Sequence, residues 1–119
     1  MADTLDERLT RLRADNDLDL VAVVADGMIV SADYADGLDA ESIGATAGDG
    51  FLMMSALGIE LGRGAPSLLT IEYRDGTMLV GHLDHGAALV LLTGQAVNLG
   101  RLRIAVRQFR QQAAEDAAR

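Results

Sequence analysis

Ser67-Leu68-Leu69-Thr70-Ile71-Glu72-Tyr73-Arg74-Asp75-Gly76-Thr77-Met78-Leu79-Val80-Gly81-His82-Leu83-Asp84-His85-Gly86-Ala87-Ala88-Leu89-Val90-Leu91-Leu92-Thr93 reads as three antiparallel strands in succession. Leu68 to Arg74 alternates apolar and polar residues, and Asp75-Gly76 has the composition of a two-residue hairpin turn, whose positions favour positive φ. Thr77 to Leu83 returns, Asp84-His85-Gly86 turns again, and Ala87 to Leu92 closes the meander. This last run is apolar throughout, so it is expected to be a strand covered on both faces, and a sheet covered on both sides needs helices on both sides.

The remaining sequence supplies them. Thr4-Leu5-Asp6-Glu7 is a capping box, and Leu5, Leu9 and Leu12 then follow at helical spacing with Arg8, Arg11 and Arg13 expected outward. Asp15-Asn16-Asp17 ends this helix. Leu18 to Ala25 is a second almost continuous apolar run, joined through Asp26-Gly27 to Met28-Ile29-Val30-Ser31-Ala32, with an acidic loop from Asp33 to Leu38. Asp39 or Ser42 caps a second helix that runs to about Leu61 and stops at Gly62-Arg63-Gly64-Ala65-Pro66. A last helix begins near Asn98 and buries Leu99, Leu102, Val106, Phe109 and Ala113. The 119 residues are expected to make one domain, 1–119, with a core over 4–113 and a tail, 114–119, that frays. The element order is αββαβββα. Only 18–25 and 87–92 lack a polar face, so these strands belong at the centre of a five-stranded antiparallel sheet of order 2-1-5-4-3. The second helix is expected on one face of this α/β layered fold, and the first and last helices on the other.

Composition narrows function. With no Cys and with all ten basic residues Arg, the chain has no thiol nucleophile, P-loop Lys or Schiff-base Lys. A net charge of −8 argues against nucleic acid and anionic membranes as partners. The charge is uneven: residues 1–49 hold twelve acids and three Arg, residues 50–119 six acids and seven Arg. The acidic N-terminus lacks the apolar core of a signal peptide and no run is long enough to span a bilayer, so a cytoplasmic location is expected.

The second helix has more apolar surface than a sheet can cover. Ile43, Ala47, Met54, Leu57, Gly58 and Leu61 form one stripe, expected to cover the sheet. Ala45, Leu52, Ala56 and Ile59 form another, with the small residues Gly44, Gly48, Ser55 and Gly62 between them. Asp49, Met53 and Glu60 are left for solvent. A surface helix needs only one apolar face, so the second stripe must be covered, either by the loop after the second strand or, as expected here, by its symmetry mate in a two-fold dimer, where the small residues let two backbones approach. The strand 68–74 carries no Pro or Lys guard, as expected of an edge used for pairing. The expected dimer interface is therefore Ala45, Leu52, Ser55, Ala56 and Ile59 with Leu68, Thr70 and Glu72, and Ile59→Arg is expected to break it. Asp49, Met53, Glu60 and Arg63 of both copies would then cluster as a partner-binding face.

Several stretches in order resemble the Roadblock family (dynein light chain, Roadblock type). They are Asp26-Gly27 followed by Met28-Ile29-Val30-Ser31, Ile43-Gly44-Ala45, Leu57-Gly58-Ile59-Glu60-Leu61-Gly62, Ile71-Glu72-Tyr73 with Asp75-Gly76, and Val97-Asn98-Leu99-Gly100-Arg101-Leu102-Arg103. The resemblance covers about 4–113 and implies a homodimer joined through the second helix and third strand. It also implies a docking platform, which in bacterial and archaeal relatives accompanies a small Ras-like GTPase. Other members serve motors, kinases or transport systems, so a scaffold in another signalling or motor complex is the alternative, and a ligand-sensing α/β module a further one.

No residue pattern announces an enzyme or a cofactor. His82 and His85 lie near Asp84, but strand geometry turns them apart and no third ligand is adjacent, so no metal is expected. Gly62-Arg63-Gly64 follows a helix instead of opening one, which makes it a helix stop and not a phosphate loop. None of Ser31, Ser42, Ser55 and Ser67 sits in a nucleophile elbow. Arg103, Arg107 and Arg110 align on the last helix; they are expected to pair with Asp6 or Glu7 or to be solvated, with docking of an acidic partner as the other reading.

Overall fold

A computed structural model of the chain describes residues 3–94 and 98–117. The elements are α1 (Leu5–Asn16), β1 (Leu20–Ala25), β2 (Met28–Tyr34), α2 (Ala40–Glu60), β3 (Leu68–Tyr73), β4 (Gly76–His82), a 3-10 turn (Asp84–Gly86), β5 (Ala87–Thr93) and α3 (Leu99–Ala117). The sheet is antiparallel and has the order β2-β1-β5-β4-β3, with the two wholly apolar strands inside it as expected.

Strand alternation divides the core into two layers. Val21, Val23, Leu79, Leu89 and Leu91 face α1 and α3, where Leu9, Leu12, Leu102, Val106 and Phe109 cover them. Leu20, Ala22, Val24, Val80, Ala88 and Val90 face α2, which contributes Ala40, Ala47 and Phe51. Caps set the helix starts. Thr4 and Glu7 form the reciprocal capping box of α1, Asp39 accepts from the Ser42 N–H at α2, and Asn98 accepts from the Arg101 N–H at α3. Val97, part of the family-like stretch, lies outside the described residues.

Turn chemistry agrees with expectation at one hairpin and departs from it at another. Asp26 and Gly27 both have positive φ, 53° and 74°, as a tight β1–β2 turn requires. A bulge follows, where Val23 faces Ser31 but Val24 faces Ile29, leaving Val30 as the extra residue. In the β3–β4 hairpin, Tyr73 pairs with Gly76, so the turn residues are Arg74-Asp75 and not Asp75-Gly76. Gly76 is a strand residue without positive φ. A Cβ there would lie 2.5 Å from the Thr93 carbonyl oxygen, so the glycine permits close approach of two strands. Gly76→Ala is accordingly expected to cost about 1–3 kcal/mol, measured as a drop in urea midpoint at unchanged slope.

Other boundaries move for local reasons. β2 extends to Tyr34, into the expected loop, because Arg13 reaches Asp33 at 3.4 Å and the Ala35 N–H donates to the Asp19 carbonyl at 2.9 Å. Arg8 and Arg13 do not both turn outward: Arg8 pairs with Asp116, and Arg13 Nε also donates to the Leu18 carbonyl at 3.0 Å. Partly through that α1–α3 ion pair, the tail expected to fray from Ala114 continues helical through Ala117.

Candidate interaction surfaces on the second helix

The contact of α2 with the sheet is centred on Ala40, Gly44, Ala47 and Phe51, all buried, while the buried Gly58 meets the loop that follows the helix. Gly44 fits tightly: a Cβ would come within 3.1–3.2 Å of Ile29 and Val24 side-chain atoms. Gly58 is packed against the Gly64 carbonyl, and its own carbonyl accepts from the Arg63 and Gly64 N–H groups at 2.9 and 3.1 Å. These bonds, with positive φ at Gly62 and Gly64, make the expected helix stop.

This contact line bears out part of the expected sheet-covering stripe, Ala47 being buried and Ile43 packed against the core, and rotates the rest. Phe51, in neither expected stripe, is the aromatic anchor. Met54, Leu57 and Leu61, expected to cover the sheet, are 40%, 43% and 62% exposed. Gly44 and Gly58 serve the protomer's own packing, and the Ser55 hydroxyl donates to the Phe51 carbonyl at 2.9 Å. Residues on α2 therefore fall on two flanks, one on each side of the Phe51 line.

On one flank, α2 and the β3–β4 edge enclose an open groove of about 570 Å³. Ile43, Met53 and Met54 line it from the helix, and Leu69, Ile71, Tyr73 and Met78 from the strands. The groove exists because α2 lies chiefly over β1 and β2, leaving this end of the sheet uncovered. Its lining is apolar apart from Ser42, Thr46 and the Tyr73 hydroxyl.

The opposite flank holds a second groove of about 490 Å³, between α2, the Asp26-Gly27 turn and the start of β5. Asp49, Leu52 and Ser55 line this one. The candidate interface residues are thus not brought together. Ala45, Leu52, Ser55, Ala56 and Ile59 lie on the flank away from β3, and Leu68, Thr70 and Glu72 point to the α1–α3 face, with Leu68 packed against that core. The side chains that share a surface with α2 are instead Leu69, Ile71 and Tyr73. Strand parity could have found them, since Leu69 and Ile71 share a phase with the helix-facing Val80 and Met78 across the register. Of the candidate partner residues, Asp49, Met53, Glu60 and Arg63 are all exposed, and Met53 also reaches into the β3-side groove.

The remaining polar candidates separate. His82 stacks on Phe51 with ring centroids 6.2 Å apart, while His85 occupies the turn with φ 63°. Among the described residues, no group of three or more His, Asp and Glu is placed to hold a metal ion. Arg110 leaves the expected ridge: its guanidinium donates to the Ser67 carbonyl, and burial pushes its pKa below the usual range. Asp6 accepts from Ser31, and Glu7 is engaged with Thr4, so neither acid serves the arginines of α3. No described helix is long and apolar enough to cross a membrane.

No family model matches the sequence. Two uncharacterized proteins of Methanocaldococcus jannaschii, MJ0310 and MJ1340, are each 32% identical over 88 residues, covering 74% of this chain and 76% of theirs. A solved Roadblock/LC7 domain from Streptomyces avermitilis is 27% identical, covering 93% of this chain and 99% of that one, with a TM-score of 0.66. The fold is also shared with Myxococcus xanthus MglB, at 15% identity and TM-score 0.86 over 98% of this chain and 100% of that one. Sheet order, helix placement and these similarities agree: the chain has the fold of the Roadblock/LC7 domains.

Proposed function

We propose that the chain is a homodimeric docking platform in the cytoplasm, without catalytic activity of its own, that binds and regulates a small Ras-like GTPase. The observation that carries the dimer is the apolar groove between α2 and the unguarded edge of β3. A second copy related by a two-fold axis would lay its own α2 flank and β3 edge there. The two β3 strands would pair, and Met54, Leu57 and Ile71 would leave water. This assignment moves the proposed interface to the β3 side of α2 and leaves Ala45, Leu52, Ala56 and Ile59 outside it.

The GTPase reading rests on the family resemblance, supported by the outward side of α2. Asp49, Met53 and Glu60, with Arg63 beyond the helix end, are exposed there, and a two-fold dimer would present them twice on one composite face. Met53 offers adaptable apolar contact at the groove margin, and the two acids suit a basic patch. An asymmetric partner can occupy such a face once, giving one GTPase per dimer. Binding should favour one nucleotide state, because a regulator shifts only an equilibrium between states it binds differently.

Calorimetry against the cognate GTPase, loaded with GDP or a non-hydrolysable GTP analogue, tests this. Glu60→Arg is expected to weaken binding by roughly tenfold or more while leaving the dimer mass unchanged. Arg63→Ala should lower any stimulated hydrolysis only a few-fold, against the roughly thousandfold or greater loss that removing an arginine finger causes. Equal affinity for both loaded forms would replace the regulator by a scaffold.

A further inference from the structure

From Ala14 to Gly62 the sequence carries ten acids and no Arg, Lys or His. This stretch folds into β1, β2 and α2 together with the end of α1, so none of these elements contributes a basic side chain, and Arg13 reaches in only as far as Asp33 on β2. The groove on the far flank of α2 takes most of its lining from these elements, with His82 and the start of β5 closing its other wall. Val24, Phe51 and Ala88 line this groove, Leu52 rises beside it, and Asp26 and Asp49 stand at its rim. The groove is open beside Gly48, where a Cβ would have nothing within 4 Å. Neither Asp26 nor Asp49 has an ion-pair partner among the described residues. Leu52 is 67% exposed and Ile59 72% exposed on the same flank.

These features restrict what fits. From Ala45 to Ile59 the apolar flank runs about 21 Å along the helix at 1.5 Å per residue, longer than one small molecule covers. An anionic lipid or nucleic acid would meet carboxylates with no counter-charge. A wholly apolar occupant would strip water from Asp26 and Asp49 without replacing it. A protein segment with large apolar side chains flanked by Arg or Lys satisfies both requirements, and the net charge of −8 would speed its approach.

We infer that this groove is a docking site for a basic amphipathic segment of a partner protein. It rests on the protomer alone. Because the flank faces away from β3, it stays open in the proposed dimer, giving each copy its own site in addition to the composite face.

The experiment uses the full chain, isotope-labelled, and two synthetic helical peptides of about four turns. One carries a leucine stripe flanked by Arg; the other has Glu in place of each Arg. At physiological salt, the Arg peptide is expected to shift the amides of Gly48, Asp49, Leu52, Ser55 and Ala87 and to saturate, while the Glu peptide does nothing. Leu52→Asp should abolish the response, and Asp26→Asn, which tolerates the turn's positive φ, should weaken binding roughly threefold to fivefold. Both variants should keep the wild-type oligomeric mass.

Unsaturating shifts scattered over the acidic surface would reduce the groove to general charge attraction and overturn the inference. Shifts confined to the β3-side groove would overturn it as well. A change of mass in Leu52→Asp would show that a second copy covers this flank, which sinks the inference and relocates the dimer. If the mass holds and the peptide fails to bind, the inference falls while the proposed dimer stands.

Discussion

Met54→Arg is expected to convert the proposed dimer to a 12.6 kDa monomer. Met54 lines the groove beside Ile71 and is part exposed in the isolated protomer, so an arginine there can be solvated and the fold should survive. In the dimer the same guanidinium would be desolvated without a partner carboxylate, and symmetry would place it in the interface twice. Unpaired buried charges cost several kcal/mol, and each ~1.4 kcal/mol is a factor of ten, so dissociation should strengthen by at least roughly a hundredfold. Ile59→Arg is the matched control. Its position on the far flank predicts an unchanged dimer, the reverse of what the helical wheel suggests. Light scattering after size exclusion at micromolar concentration separates the two. A monomeric Ile59→Arg beside a dimeric Met54→Arg would put the interface on the wrong flank of α2.

Phe51→Ala is expected to destabilise the fold by about 3–5 kcal/mol, the range for truncating a buried aromatic. Phe51 is 7% exposed, anchors α2 between Val24 and Ala88, and carries the His82 ring on its face. Its removal leaves a cavity that a single helix over a rigid sheet cannot fill. The adjacent Leu52→Ala should change stability by no more than about 0.5 kcal/mol, because its side chain is mostly in water. Urea denaturation of the two variants tests the helix rotation directly. Comparable losses would mean that Leu52 shares the burial assigned to Phe51.

That rotation is where reading the chain as a string reached its limit. Strand order was legible because Leu20 to Ala25 and Ala87 to Leu92 have no polar face, a demand that only central strands meet. The faces of the sheet followed from alternation, and the first and last helices from single stripes such as Leu102, Val106 and Phe109. On α2 the pattern carried too little contrast, with Leu, Ile and Met on both flanks and the deciding residues being Phe51 and two glycines. Hydrophobicity does not distinguish a glycine that receives a neighbouring backbone, as Gly58 does, from one that leaves open space, as Gly48 does. The β3–β4 turn shifted for a related reason: Gly76 is required by the carbonyl of Thr93, distant in sequence, and not by the local turn. Arg8 found Asp116 rather than solvent through a similarly distant contact.

The bulge at Val30 bears on how large an assembly can grow. Joining two β3 edges consumes both of them, and the merged sheet then ends in β2 on either side. If β2 were a regular strand, each end would be an addition point, and the dimer would be a monomer unit for linear polymerisation. Val30 interrupts the ladder there, and Asp26, in the turn that opens β2, would place like charges near an identical end. In the proposed dimer the two termini of the merged sheet would thus be blunted, and self-assembly by strand addition would be a single-step reaction with a built-in stop instead of an open-ended chain growth.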